Sequence, residues 1–101
     1  MNTNDLVQQA RARFDHAAAR RVLKEKYEAK MTFAYNGGMW KAGPELLVLL
    51  ASLPGETAVI LDLYENPIAI KVDELQTTAY QRWQEQMTAW SVELDKLSQK
   101  R

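Results

Sequence analysis

The feature that most constrains this chain is a mismatch of lengths. Residues 4–35 and 74–100 each read as one long helix, and only about forty residues lie between them. At about 1.5 Å per residue each helix spans roughly 40 Å or more. A forty-residue segment is too small to cover both. The two helices must therefore pack on each other, on a second subunit, or on something else.

The first helical stretch offers Thr3 or Asn4 as an N-cap, with Asp5 in the first turn, where the helix dipole favours an anion. Its middle is rich in Ala, Arg, Lys and Glu, all good helix formers. Leu23, Tyr27, Met31 and Tyr35 follow four apart and make one stripe. Leu6, Ala10, Phe14 and Ala17 make another, on a different part of the surface. In the last stretch Asp73, with Gln76 three residues later, resembles a capping box with Asp in the Ser/Thr place. Leu75, Ala79, Trp83, Met87, Trp90, Leu94 and Leu97 follow, and from Trp83 the steps alternate four and three, which is heptad spacing.

The sequence "AYNGGMWKAG", Ala34 to Gly43, stands where the first helix must end. Two readings compete. Asn-Gly is a strong hairpin signal and "MTFAY" is β-prone. Against that, the stripe from Leu23 keeps helical spacing through Tyr35, and Asn or Gly past a helix end supplies a left-handed C-cap. The expectation is a helix over 4–35 capped by Asn36 or Gly37; a ladder between 31–35 and 39–42 would establish the hairpin instead. A phosphate-binding loop is excluded, because neither a Gly-Lys-Ser/Thr nor a third spaced glycine follows.

The middle segment reads as a short strand at 39–42, a helix at 44–53 and a hairpin at 57–72. Pro44 suits a first helical turn and Pro54-Gly55 a stop. Leu46, Leu47, Leu49, Leu50 and Leu53 cover most of that helix's circumference, which predicts burial on more than one side. Val59, Leu61 and Leu63 alternate with Ile60, Asp62 and Tyr64; after a "YENP" turn, Ile68, Ile70 and Val72 alternate with Ala69 and Lys71. This predicts an antiparallel hairpin with one apolar face, the leucine helix as its lid, and residues 39–42 as a third strand at one edge. The expected fold class is α+β: two long helices flanking a small antiparallel β-hairpin unit with a short buried helix, a single domain over residues 1–101.

Little in the chain suggests catalysis. It has no cysteine, which excludes disulfides and thiolate metal sites. His16, the one histidine, stands mid-helix among alanines and reads as solvated. Asp62 and Glu65 read as turn decoration rather than an acid–base pair. No HExxH, EF-hand or Gly-x-Ser-x-Gly pattern occurs, and Ser52, Ser91 and Ser98 have no triad partner apart from His16. The expectation is a non-enzyme with no cofactor, no metal and no small-molecule substrate. Net charge is zero, so no global field draws the chain to nucleic acid or to an anionic membrane. The polar N-terminus lacks a signal-peptide core, and the longest apolar run falls far short of the roughly 20 residues that span a bilayer. A soluble, cytoplasmic protein without membrane contact is expected.

Two candidate surfaces remain. Arg11, Arg13, Arg20, Arg21 and Lys24 make the first helix basic, and a basic helix can track phosphates. Asp15, Glu25 and Glu28 interleave, however, and no aromatic platform accompanies the arginines. Pairs such as Arg21–Glu25 and Lys24–Glu28 give the plainer reading of a solvated face. The second surface is the seam Trp83, Met87, Trp90, Leu94 and Leu97, which outruns any core this chain can build. Trp and Met are enriched at interfaces, and Glu85, Glu93, Asp95, Lys96 and Lys100 can set register across a helical pair. A homo-oligomer or a larger protein assembly is expected. The competing arrangement lays the first helix antiparallel along the last, through Leu23, Tyr27 and Met31, and buries the seam within one chain.

The combination "GGMWKAGPELLVLL", "VILDLYENPIAIKVDEL" and "WQEQMTAW" resembles small uncharacterised proteins carried by large contractile-tailed phages. The resemblance covers most of the chain and carries no catalytic motif. It implies a virion component or an assembly factor of the head or tail, found in the host cytoplasm or the virion, acting by helix-mediated association.

Overall fold

A computed structural model describes residues 3–99, so Lys100 lies outside the described residues. In chain order the elements are α1 (Thr3–Lys30), β1 (Thr32–Tyr35), β2 (Gly38–Lys41), α2 (Pro44–Ser52), β3 (Thr57–Leu61), β4 (Pro67–Lys71) and α3 (Val72–Gln99). Of the described residues, 67% are helical and 19% lie in strands, an α+β fold.

α1 stops at Lys30 instead of running to Tyr35, and a hairpin takes the place of the expected helix cap. Thr32 pairs with Lys41, Phe33 with Trp40, Ala34 with Met39 and Tyr35 with Gly38. Asn36 (φ 51°) and Gly37 (φ 83°) form the two-residue loop. Two consecutive left-handed residues are what a tight type I′ turn requires, and a helix cap needs only one. The stripe was ambiguous because four is a multiple of two: Met31 and Tyr35 share a side of a strand as readily as of a helix. Phe33 and Trp40 are buried, while Ala34 faces solvent. The Ala42 amide donates to the Met31 carbonyl at 2.8 Å and closes the open end.

Residues 39–42 also do not join the second hairpin as a third strand. The two sheets are separate, each of two strands. β3 and β4 pair in the register Val59 to Ala69, with Ala58, Ile60, Ile68 and Ile70 turned inward. The outer side is apolar too, since Val59 and Leu61 keep 67% and 60% of their surface. The expectation of a single apolar face therefore fails. α2 begins at Pro44 as expected and ends one residue early, because Leu53 precedes Pro54 and is held extended (φ −81°, ψ 129°). Leu50 is buried, Leu46 and Leu47 are half-buried, and Val48 and Leu49 are exposed. α2 thus lies on the surface of the core and is not buried on several sides.

α3 follows β4 without a loop. The Val72 amide donates to the Glu56 carbonyl at 2.9 Å. Asp73 lies inside the first turn of α3, and Thr3 and Asn4 are already helical, so none of these three caps its helix as expected.

The core lies at one end of the molecule and contains Met31, Phe33, Trp40, Ala42, Leu50, Ile70, Val72, Leu75 and Ala79, with Trp83 at its edge. From there α1 and α3 run side by side in opposite directions as a two-helix stalk. The extents are 66 × 23 × 21 Å. Among the described residues no helix is long and apolar enough to cross a membrane.

Candidate functional site

The stalk is where the two candidate residue sets meet. Its base is a polar and aromatic joint. The Tyr27 ring stacks on Trp90 with centroids 6.0 Å apart and planes 7° from parallel. Glu93 Oε1 accepts from Lys26 Nζ at 2.7 Å and from the Tyr27 hydroxyl at 2.6 Å. The Lys26 ammonium, with Tyr27 second, holds the Glu93 carboxyl below the usual carboxylate range. The same bond to Glu93, reinforced by burial, raises the Tyr27 hydroxyl above its ordinary value. Lys26 and Lys30 also lie 5.2 Å and 5.4 Å from the Tyr27 ring centre. Arg82 Nη1 reaches the Lys30 carbonyl at 3.5 Å, which ties the last turn of α1 to α3.

The first helix therefore lies antiparallel along the last, and the seam is partly consumed within one chain. Trp83 packs against the core. Trp90 is covered by Tyr27 on one face. Leu94 and Leu97 are half-buried and Met87 is 38% exposed.

What α1 leaves uncovered is a groove along one flank of the stalk. Met87, Trp90, Leu94 and Ala17 make its apolar lining, and Arg20, Arg21 and Lys24 line it from the α1 side. Residues expected for protein contact and residues weighed for nucleic-acid contact thus share one feature. Arg13 lines a second groove with His16 and Leu97, and Arg11 lines neither. Lys24 is 4.0 Å from Glu28, a loose i,i+4 pair on an exposed surface. Overall, α1 carries seven Lys and Arg against four Asp and Glu, while α3 carries two against five. The stalk therefore joins a helix of net +3 to one of net −3.

A second cluster escaped the sequence reading. Asp62 is buried between the two hairpins. Its Oδ1 accepts from the amides of Tyr64 (3.0 Å) and Asn66 (2.9 Å), and its Oδ2 accepts from the Met39 amide (3.0 Å). The Leu63 amide returns a bond to the Met39 carbonyl at 2.7 Å. Backbone donors from Asn66 and Met39 hold the Asp62 carboxyl below its usual range. Asp62 is thus a clasp between β2 and the β3–β4 turn. Its only local signal was an acid two and four residues before turn residues, which ordinary turns also show. Tyr35 and Asn36 add bonds to Glu74 and to the Ala69 carbonyl, so the first hairpin is laced to both β4 and α3.

Against known protein families, curated proteins and solved structures, the chain finds no match.

Proposed function

We propose that the protein is a non-enzymatic structural or assembly component that acts through protein contacts along its two-helix stalk. The observation that carries this reading is the groove of Met87, Trp90 and Leu94 beneath Arg20, Arg21 and Lys24. Each large apolar side chain left in water forgoes about 1.5–3 kcal/mol of burial, so a helix laid in the groove gains from contacts that this chain does not make by itself. The basic rim favours a partner with acidic flanks. The resemblance to small proteins of contractile-tailed phages fits a virion component or assembly factor, residing in the host cytoplasm or the virion. On this reading the chain needs no cofactor, metal or small-molecule substrate.

The second reading is a small nucleic-acid-associated regulator. It is favoured by the convergence of Arg20, Arg21 and Lys24 on one rim. It is disfavoured by Arg11, which lines neither groove, and by the stacking of Tyr27 on Trp90, which closes one face of that ring to a base. Titration against duplex and single-stranded nucleic acid at two salt concentrations separates the two. Weak binding at both is the expected result; tight binding that falls steeply with salt would overturn the assembly reading.

A further inference from the structure

β3 carries a sheet edge that no other described residue pairs with. The Asp62 amide donates to the Asn66 carbonyl and the Val72 amide to the Glu56 carbonyl, each at 2.9 Å. These two bonds set the phase of the β3–β4 ladder. Ala58 and Ile60 turn their backbone groups toward β4, and Thr57, Val59 and Leu61 turn theirs away. The opposite edge, on β4, is closed. Pro67 has no N–H, the Ala69 carbonyl accepts from Asn36, and the Lys71 amide lies against the Tyr35 hydroxyl. On the β3 edge no hydrogen bond from a described residue reaches the outward groups of Thr57, Val59 or Leu61. The strand reads "TAVIL", with none of the proline or charge that commonly blunts an edge. Its outward side chains are apolar as well, since Val59 and Leu61 are mostly exposed.

We propose that β3 of a second copy of this chain adds to this edge, antiparallel about a two-fold axis at Val59, to make a four-stranded sheet in the order β4-β3-β3-β4. The backbone selects the kind of occupant, because only an extended strand offers donors and acceptors at every second residue. β3 is complementary to itself. In this register Val59 faces the second copy's Val59, and Thr57 faces its Leu61. Six hydrogen bonds form, and every outward N–H and C=O of Thr57, Val59 and Leu61 on both copies is paired. A shift of two residues loses this match. It sets Thr57 against Leu63, whose amide already serves Met39, or Leu61 against Gly55, whose φ of 88° is not extended. The side chains agree with the backbone, since Val59 meets Val59 and Leu61 meets Thr57 with no charge among them. At the strand ends Glu56 comes level with the second copy's Asp62, whose carboxylate is held by three amides of its own chain. The stalk groove lies on α1 and α3, so this contact goes beyond the stalk reading and does not depend on it.

Sedimentation equilibrium and hydrogen exchange on the intact chain test the pairing. The expected result is a concentration-dependent dimer in which the Thr57, Val59 and Leu61 amides exchange slowly, whereas the dilute monomer exchanges them fast. Val59→Lys and Val59→Glu should each weaken the dimer by about tenfold or more, because each sets like charges face to face at the two-fold axis. Val59 keeps 67% of its surface, so the far-UV circular dichroism spectrum of either variant should be unchanged. An equimolar mixture of the two variants should regain the dimer, since residue 59 faces residue 59 in this register. A monomer at all concentrations, a dimer whose three amides exchange as fast as the monomer's, or a mixture no tighter than its separate variants would overturn the pairing. None of these outcomes bears on the stalk groove, which salt-steep binding to nucleic acid tests instead.

Discussion

Gly38 and Asp62 join the two hairpins at a scale of single atoms. A Cβ added at Gly38 would lie 3.2 Å from Ile68 Cγ1 and 3.2 Å from the Trp40 indole, whose Nε1 donates to the Tyr35 carbonyl at 3.0 Å. Glycine is needed here for space and at Gly37 for its positive φ. Gly38→Ala should therefore cost about 1–3 kcal/mol in urea unfolding, with a displaced Trp40 visible in near-UV circular dichroism. Asp62 sets a pH dependence. Its folded pKa is lowered, so its contribution is present above the unfolded value near 3.9 and is lost as pH falls through the folded value. Stability should hold from neutrality to about pH 5 and then drop, and Asp62→Asn should flatten that acid limb. Hydrogen exchange at the Met39, Tyr64 and Asn66 amides should quicken in the variant. An unchanged acid limb would show that other carboxylates govern it.

At the scale of elements, α3 serves two structures in succession. Its first half supplies Leu75 and Ala79 to the core, both fully buried. Its second half supplies Trp90 and Glu93 to the joint with α1. The two halves should fail differently. Leu75→Ala should cost about 2–5 kcal/mol and lower the stability of the whole domain. Trp90→Ala should release the stalk alone, with faster hydrogen exchange over residues 16–27 of α1 and unchanged protection in the hairpins. Uniform loss of protection in the Trp90 variant would show that stalk and core unfold as one unit. The heptad spacing of α3 was legible from Trp83 onward, and its partner was not. An antiparallel α1 and a second subunit both satisfy the same seam, and periodicity carries no information about which chain lies opposite.

The whole molecule is unusually extended. Its radius of gyration is 19.4 Å, against about 13 Å for a compact chain of this length. Small-angle scattering from the dilute chain should return a value near 19.4 Å. A value near 13 Å would mean that the stalk folds back on the hairpins. The extension has a simple origin, since two helices of 28 residues project from a core built on fewer than half of their turns.

Composition and periodicity determined the fold class, the two long helices, the Pro44 helix start and the β3–β4 hairpin. Each depends on contacts between residues close in sequence, where propensity and spacing act directly. The end of α1 was present in the sequence as Asn36-Gly37, yet Met31 and Tyr35 suited helix and strand alike, and the pairing of Phe33 with Trp40 decided it. Asp62 as a clasp, Tyr27 against Trp90, and the convergence of Arg20, Arg21 and Lys24 on a groove floored by Leu94 were decided by tertiary structure alone. Each joins residues some twenty to seventy positions apart, and no local pattern encodes a contact whose geometry exists only after both elements have packed.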